Sequence, residues 1–386
     1  MPSRFVAVLG LGVAAGPVLY PAWLAVATRR AAPAEPPEPP SWPELSVLVP
    51  AYREAAVIAG KVADVLANGY PGPLHVVVVA EDEETAQAAN ATCARVVSPA
   101  ARLGKAEALN RGVAAATGEV LVLTDANTVL RPGSLAALAR WFADPRVGAV
   151  AGEKQVAGRG EGAYWRYESW LKRRESRLGS TVALVGELAA VRRRLWRRLP
   201  ADVSVDDLWI ALDVLDSGHV VRYEPAAVAF ETPDDGWRPT WERRTRVVAG
   251  TFDLLWRRRA LLVRPDQVTA QLWGHKLLRQ SLGPVAHLLL LGIAARHARA
   301  SLLARTVVGG HLVAGAGGVA LLAGRPVPRA LAVPGQLLFL QAVAIGGLLR
   351  YLRGDRPALW QKPPRRTSLP RLDGGPGAPV PGRAAR

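Results

Sequence analysis

The sequence is short of several residue types on which other protein classes depend. It contains one cysteine, Cys93, so an intrachain disulfide is impossible and a reducing compartment is expected for the soluble part. We interpret Cys93 as a small core residue. Acidic residues are outnumbered by basic ones, and the formal net charge is +17. No helix-turn-helix, zinc-finger or RNP pattern accompanies that charge, so nucleic acid is not an expected partner.

The excess arginines lie beside apolar segments. They cluster at positions 29–30, 257–259 and 350–356. Anionic headgroups at a membrane surface explain this placement better than a polyanion in solution does. Membrane lipids are therefore expected partners.

Long uncharged runs near both ends of the chain predict membrane segments. The first, Phe5 to Ala27, is long enough to cross a bilayer core. A secretory signal peptide is the alternative, but arginines follow where a small-residue cleavage site is expected, so an anchor is favoured. Three further apolar stretches lie at roughly 281–295, 306–323 and 330–349, and one of them could be re-entrant.

The charge distribution predicts a multi-pass protein of the cell membrane (inner or plasma membrane) whose central domain is cytosolic. One span before that domain and three after it would place the basic tail outside, which the positive-inside rule disfavours; the sequence leaves this conflict open. The predicted divisions are an N-terminal transmembrane anchor (1–30), a proline-rich linker (31–41), an α/β domain (42–240), amphipathic interfacial helices (241–280), transmembrane segments (281–350) and a basic irregular tail (351–386). A packed helix of the soluble domain is the alternative for 241–262.

The central part alternates short apolar runs with helical patterns. Runs at Leu45–Val49, Leu74–Val79 and Val120–Leu123 predict strands, with helices at Glu54–Ala67 and Lys105–Ala116 between them. Strand, helix, strand at this spacing predicts an α/β fold in which helices cover both faces of a mostly parallel sheet. Ligands bind such sheets beyond the carboxyl ends of the strands. Residues that follow the strands are therefore the candidate site.

Polar residues follow each of the three strands. The first strand is followed by Pro-Ala-Tyr-Arg-Glu (50–54), the second by Glu-Asp-Glu-Glu (81–84) and the third by Asp125-Ala126-Asn127. A carboxylate with a second oxygen ligand two residues on suits Mg²⁺ or Mn²⁺. Such an ion bridges a substrate diphosphate and stabilises its developing charge. We therefore predict a divalent metal held by Asp125 and Asn127.

Two further motifs are candidates for substrate chemistry. Gly104-Lys105 opens a predicted helix, where backbone N–H groups and the ammonium would contact phosphate; a solvated lysine is the alternative. The pattern is not a P-loop. Asp206-Asp207 precedes a predicted helix at Leu208–Ser217. Either carboxylate would cap that helix or, as one of a like-charged pair, act as a general base.

In their order and spacing these motifs resemble the family 2 glycosyltransferases, in particular the membrane-bound branch of cellulose-, hyaluronan- and poly-N-acetylglucosamine-synthase-like enzymes. The resemblance runs from about Leu45 to Leu278. It is carried by Val-Pro-Ala-Tyr-Arg-Glu (49–54), Gly-Lys-Ala-Glu-Ala-Leu-Asn-Arg-Gly (104–112), Leu-Thr-Asp-Ala-Asn-Thr (123–128), Val-Asp-Asp-Leu (205–208) and His-Lys-Leu-Leu-Arg (275–279). It implies a GT-A fold, a nucleotide-diphosphate sugar donor, with UDP favoured, and a divalent metal, Mg²⁺ or Mn²⁺.

The resemblance also implies roles for individual residues. Asp207 matches the general base that deprotonates the acceptor hydroxyl, with Asp206 beside it, and Asp125 and Asn127 match the metal-binding Asp-x-Asp. Gly186-Glu187-Leu188 resembles the acceptor-side loop. The substrate-binding set comprises Pro50, Ala51, Tyr52 and Glu54 around base and ribose, and then Asp82, Lys105, Asp125, Glu187, Arg243 and Arg246.

Two departures from the family pattern bear on specificity. The second strand should end in an Asp-Gly-Ser-type turn whose first Asp binds the uracil; here Glu81 or Asp82 would take that place, and Asp82 is favoured. The Gln-x-x-Arg-Trp segment of processive members is replaced by Arg-Arg-Thr-Arg-Val (243–247). Arg246 can still neutralise a diphosphate, but the missing Gln and Trp put processivity in doubt.

The expected reaction is an inverting single displacement at the membrane, giving a β-linkage from an α-linked donor. The acceptor is expected to be a glycan or lipid-linked, and other subunits of a polysaccharide assembly are candidate partners. Two alternatives stay open. A non-catalytic membrane partner of such an assembly would explain the altered turn and the missing Gln and Trp. A sugar nucleotidyltransferase would share the nucleotide-binding sheet but should carry a Gly-rich loop after its first strand.

Overall fold

The computed structural model describes residues 2–33, 35–156, 162–231, 237–355 and 369–370. Most of the predicted basic tail, including Arg356, lies outside the described residues, as does position 34 of the predicted linker.

The described chain begins and ends with helices, and its strands lie between them. The strands are β1 (Leu45–Ala51), β2 (Leu74–Ala80), β3 (Arg95–Val97), β4 (Val120–Thr124), β5 (Thr128–Leu130), β6 (Val147–Val156), β7 (Leu188–Arg192) and β8 (Val220–Glu231). The α-helices are α1 (Pro2–Ala14), α2 (Tyr20–Ala27), α3 (Ala55–Leu66), α4 (Glu83–Asn90), α5 (Lys105–Ala115), α6 (Ser134–Arg140), α7 (Gly162–Arg177), α8 (Asp206–Asp216), α9 (Trp237–Arg257), α10 (Gln267–Gln271), α11 (Gly283–His297), α12 (Leu302–Leu322) and α13 (Arg329–Leu352). Two π-helical segments, Ala15–Leu19 and Leu272–Leu282, join α1 to α2 and α10 to α11.

The strands form one mixed sheet in the order β3-β2-β1-β4-β7-β6-β8-β5. Strands β1 to β4 are mutually parallel, so their carboxyl ends meet at one edge. Beyond them, β7 runs antiparallel to both β4 and β6, whereas β6 and β8 are parallel. The predicted α/β architecture with a mostly parallel sheet is confirmed.

Apolar side chains cover both faces of the sheet, as a central parallel sheet requires. In β1, Leu45, Val47 and Val49 are buried on one face together with Ile58 of α3. Leu48 is buried on the other face with residues of α5. Each fully buried aliphatic side chain contributes roughly 1.5–3 kcal/mol, so this alternation fixes which helix lies on which face.

Four helices of the described chain are long and apolar enough, by length and composition, to cross a membrane. They span Arg4–Ala27, Gln267–His297, Leu302–Leu322 and Arg329–Leu352. The second begins well before the predicted apolar stretch at 281–295, because the π-helical segment continues it into more polar sequence that contacts α7 and the core of the α/β domain.

The first of these helices packs against the second, although they are far apart in sequence. A Cβ on Gly16 would lie 2.8 Å from the backbone nitrogen of Arg279, and one on Gly274 would lie 2.1 Å from the ring of Tyr20. Neither position can hold a side chain without a shift. The first helix therefore packs in one bundle with helices that follow the sheet.

One core assignment was wrong. Cys93 is exposed, because it lies in the turn between α4 and β3 rather than in either element.

Candidate active site

A lysine joins the end of strand β4 to the start of helix α8. The Lys105 Nζ lies 2.9 Å from Asp125 Oδ1 and 3.6 Å from Asp206 Oδ2. Burial alone lowers the pKa of Lys105, but the carboxylates of Asp125 and Asp206 outweigh it and raise that pKa. The structure thus brings together three predicted site residues that are far apart in sequence.

The position of this lysine is set by the turn before α5. Gly104 is the N-cap residue and has φ of 89°, a left-handed value that favours glycine. Glu81 Oε1 accepts hydrogen bonds from the backbone N–H groups of Leu103 and Gly104, both at 2.8 Å. Glu81 therefore holds the start of the helix that carries Lys105.

The two carboxylates at the start of α8 do not cap it. The helix begins at Asp206, its N-cap residue is Val205, and no side chain caps it. The capping interpretation is wrong because the helix starts two residues earlier than predicted. Both aspartates lie in the first turn, where the helix dipole favours negative charge.

The surroundings of Asp207 raise the pKa of its carboxyl. Burial raises the pKa of Asp207 to about 6, with Asp206 adding to the rise and Lys276 opposing it. Its Oδ1 accepts the backbone N–H of Leu208 at 2.7 Å. A pKa near the working pH is what proton abstraction from a hydroxyl needs.

A second, fully buried lysine links the acceptor-side loop to the predicted metal motif. Lys154 contacts the carboxylates of both Glu187 and Glu231. Asn127 Nδ2 donates to Glu231 Oε1 at 3.3 Å. Burial lowers the pKa of Lys154, but the two carboxylates raise it overall, so the lysine is charged. Sequence reasoning missed Lys154 and Glu231; the one available signal was a lysine inside a buried strand.

The predicted nucleotide loop (50–54) begins inside β1, which is two residues longer than predicted. Pro50 and Ala51 are the last residues of that strand. The Tyr52 ring lies under the Arg102 guanidinium, 3.9 Å from the ring centroid. Glu54 is buried, and its backbone N–H donates to Thr85 Oγ1 at 2.9 Å.

Asp82 fastens this loop to α4. Its Oδ2 accepts the backbone N–H of Arg53 at 2.6 Å, and its Oδ1 accepts that of Thr85 at 3.0 Å as the N-cap of the helix. Arg53 has φ of 56°, an uncommon left-handed value that this bond supports. Asp82 thus has a structural role beside the predicted contact with a nucleobase.

Two arginines of the predicted site lie on α9, which packs against α13. Arg246 Nη1 donates to the carbonyl oxygen of Ser204 at 3.4 Å, just before the paired aspartates. Burial lowers the pKa of Arg246; the charge of Asp206 opposes this, and the charge of Arg243 adds to it. Arg243 also acts on the pKa of Lys154, so it lies beside the acceptor-side cluster.

The donor set fits Mg²⁺ or Mn²⁺ bound mainly through substrate. Among the described residues, no group of three or more His, Cys, Asp or Glu side chains is arranged as a metal site. Asp125 and Asn127 offer carboxylate and amide oxygens, and such ions often bind through one or two carboxylates plus phosphates. The residues present therefore fit a metal that arrives with a diphosphate.

A separate network of buried carboxylates lies between α7 and the second of the four long apolar helices. His275 is buried, with Nδ1 2.8 Å from Glu175 Oε1 and Nε2 2.9 Å from Glu168 Oε2. Glu175 also accepts hydrogen bonds from Tyr20 Oη and Thr181 Oγ1, both at 2.6 Å. We call this the His275 network.

The hydrogen bonds of the His275 network outweigh its burial. Burial raises the pKa of Glu175, but the interactions with His275, Thr181 and Tyr20 bring it below its ordinary value. The pKa of Glu168 is likewise held well below its usual range, since Arg279 and His275 overcome the effect of burial. Both carboxylates are therefore ionised.

A mixed sheet with carboxylates and a lysine at its carboxyl edge is the arrangement of the GT-A class of glycosyltransferases. The family model described as "Glycosyltransferase like family 2" matches residues 43–255. The chain belongs to this family.

Known proteins agree with that assignment. An N-acetylglucosaminyltransferase of Mesorhizobium japonicum is 25% identical over 56% of this chain and 58% of its own length. Another, of Rhizobium sp., is 26% identical over 68% of this chain. This chain therefore covers 58% and 63% of the length of these two relatives. The solved mannosyltransferase PcManGT of Pyrobaculum calidifontis, in complex with GDP-Man and Mn²⁺, is 27% identical, with a TM-score of 0.73 over 90% of this chain and 98% of its own.

Proposed function

We propose that the protein is an inverting glycosyltransferase that moves a sugar from a nucleotide-diphosphate donor to a glycan or lipid-linked acceptor at the membrane. The observation that carries this proposal is the convergence of Asp125, Lys105 and the Asp206-Asp207 pair at the carboxyl edge of the sheet. Family membership argues against the nucleotidyltransferase alternative. The chain's four long apolar helices favour action at a membrane surface.

Asp207 takes the proton from the acceptor hydroxyl in this proposal. Its raised pKa improves the match between the carboxylate and that proton at neutral pH. Lys105 is charged and lies against Asp125, where its ammonium would contact the donor diphosphate. Arg246 donates to the carbonyl oxygen of Ser204, just before the paired aspartates, and supplies a second cation for the same charge.

Asp125 and Asn127 would hold the divalent ion. When bound, the ion neutralises the charge that develops on the diphosphate as the bond to the sugar breaks. Glu187 is fixed by the buried Lys154 and offers a carboxylate on the acceptor side. UDP stays our favoured nucleotide. A GDP-linked donor deserves equal trial, because the solved mannosyltransferase was found with GDP-Man.

The test is nucleotide diphosphate release by the full chain in lipid nanodiscs. The donors are a panel of UDP- and GDP-sugars that includes UDP-N-acetylglucosamine and GDP-mannose, with Mn²⁺, Mg²⁺ or EDTA. We expect release from one donor, lost with EDTA and in Asp125→Ala. Asp144, which is 18% exposed and pairs with Arg146 away from the site, gives the matched control Asp144→Ala. Metal-independent release that survives Asp125→Ala would contradict the proposal.

A further inference from the structure

Arg350, near the end of the last membrane helix, turns its side chain towards α9. Its Nη1 donates to Thr245 Oγ1 at 3.2 Å, and its Nε lies 3.0 Å from Asp355 Oδ2. The side chain is 24% exposed. These contacts hold the guanidinium against the helix that carries Arg246, a different place from the headgroup position expected for the arginines at 350–356.

Helices α13 and α9 pack closely against each other at two glycines of α13. A Cβ on Gly347 would lie 2.5 Å from Val248 Cβ, and one on Gly346 would lie 2.8 Å from the Trp241 ring. Real Cβ atoms do not approach other atoms so closely, so both positions require glycine or a shift of the helix. The position of Arg350 relative to α9 is therefore fixed by packing.

Helix α9 makes an equally close contact with the loop before the paired aspartates. A Cβ on Gly250 would lie 2.8 Å from the side chains of Ser204 and Val205. Arg246 donates to the carbonyl oxygen of Ser204 on the same side. The aspartate loop, α9 and α13 thus form three layers in direct contact.

Positive charge gathers where these layers meet. Arg350 contacts Thr245, the neighbour of Arg246 in α9, and Arg246 contacts the loop just before the paired aspartates. These arginines present guanidinium groups beside carboxylates, those of Asp206 and Asp207 for Arg246 and that of Asp355 for Arg350. Their planar N–H groups match phosphate oxygens bidentately.

We propose that Arg350 and Arg246 together bind a phosphate group at the boundary of the active site and the membrane. This inference rests on the proposed function. The phosphate has two sources of the same chemistry, the diphosphate of the donor and the phosphate of a lipid-linked acceptor. In either case, a residue of the last membrane helix completes the site of the soluble domain.

The test compares Arg350→Gln with Arg353→Gln in the full chain in lipid nanodiscs. Arg353 is exposed at the end of the same helix, so its substitution removes the same charge away from α9. Calorimetry with inorganic pyrophosphate, UDP and GDP in Mn²⁺ measures phosphate binding. A steady-state KM for a short-chain polyprenyl phosphate acceptor measures the second source.

We expect Arg350→Gln to weaken one phosphate ligand about tenfold or more, the usual effect of a lost charge-assisted hydrogen bond, and Arg353→Gln to stay within about twofold. If nucleotide and pyrophosphate binding weaken, the phosphate that Arg350 binds belongs to the donor. If nucleotide binding is unchanged and the KM for the acceptor rises, the phosphate belongs to the acceptor. Arg350→Lys keeps the charge and loses the paired N–H donors of the guanidinium, so its affinity for phosphate should lie between those of wild type and Arg350→Gln. This variant replaces Arg350→Gln in the test if Arg350→Gln does not fold.

Equal behaviour of the Arg350 and Arg353 variants towards every phosphate ligand would overturn the inference, as would a wild type that binds none of them. The proposed function can fail separately. A wild type that binds pyrophosphate and releases no nucleotide from any donor would refute the transferase, and the two variants would still decide the role of Arg350.

Discussion

Two groups of carboxylates in this protein use the same chemistry and behave in opposite ways. At the sheet edge, Asp207 has a like-charged neighbour and one backbone hydrogen bond from Leu208, and its pKa rises to about 6. In the His275 network, Glu175 is more completely buried, yet its pKa falls because Tyr20, Thr181 and His275 all interact with it.

Burial raises the pKa of both carboxyls, so the opposite outcomes come from their partners: Asp206 adds to the rise at Asp207, whereas His275, Thr181 and Tyr20 reverse it at Glu175. A carboxylate with a full set of donors is locked in its ionised form. One that shares its surroundings with another carboxylate stays close to protonation at neutral pH. The first arrangement stabilises the fold, and the second is available for chemistry.

The largest effect on sugar transfer is expected from Asp207→Asn. The amide cannot accept the acceptor proton, so the transfer rate should fall about 10²- to 10⁴-fold while nucleotide binding is kept. Single-turnover sugar transfer and calorimetry measure the two effects. Asp202→Asn, an exposed aspartate of the same loop paired with Arg257, is the matched control and should keep full activity. Full activity in Asp207→Asn would refute the base assignment.

His275→Ala should destabilise the fold. It removes the interaction of two buried carboxylates, so the free energy of unfolding should fall by about 3–5 kcal/mol. Chemical denaturation in detergent measures this loss. The exposed His297 supplies the control His297→Ala, with an expected change below about 0.5 kcal/mol. A loss of transfer without a loss of stability would place His275 in the catalytic group instead.

Tyr20→Phe should weaken the His275 network more mildly. It deletes one hydrogen bond to a charged group, and the expected loss is about 1.5–3 kcal/mol in the same denaturation experiment. Tyr70→Phe deletes a hydrogen bond to the neutral carbonyl of Pro43 and should cost only about 0.5–1.5 kcal/mol. Equal losses in the two variants would show that Glu175 does not need its third donor.

The pH dependence sharpens the comparison. Transfer should decline on the acid side with an apparent pKa near 6, as Asp207 becomes protonated. Asp206→Asn removes the like charge, so the acid limb should move to lower pH. The shift should stay under about one unit, because burial is the larger cause of the raised pKa. The pH–rate profiles of wild type and Asp206→Asn measure this shift. An acid limb at the same pH in both proteins would exclude coupling between the two aspartates.

The two groups should also affect stability with opposite signs. The raised pKa of Asp207 means that its stabilising effect is present below the ordinary value of 3.8 and is lost as pH rises through about 6. The lowered pKa of Glu175 means that its contribution is present above the ordinary value of 4.5 and is lost as pH falls. Asp207→Asn should therefore stabilise the protein at pH 8 and not at pH 4. Thermal unfolding at both pH values checks this expectation.

The sheet and the polar residues at its carboxyl edge could be predicted because they depend on local sequence patterns. Apolar runs mark β1, β2 and β4, and the residues after parallel strands must share an edge. The sequence also placed Lys105 at a helix start. The roles of these residues stay predictions, whereas their proximity is an observation.

Other features depended on tertiary contacts that no local pattern reports. The start of α8 was misjudged because Asp206 and Asp207 resemble capping residues, and only packing shows that the helix begins at Asp206. The partners of Lys154 come from β8 and from the residue before β7. Arg350 was grouped with headgroup arginines because its neighbour Thr245 is more than a hundred residues away.

The contact of Gly16 with Arg279 has a consequence for biosynthesis. The first helix leaves the ribosome early, but the surface that accepts it is made roughly 260 residues later. At about 5–20 residues per second, that delay lasts roughly 13 to 50 seconds. Throughout this interval Gly16 lacks its contact with Arg279, and the α/β domain is synthesised before that contact can form. Assembly of the bundle is therefore a late event, completed only when the carboxyl-terminal helices arrive.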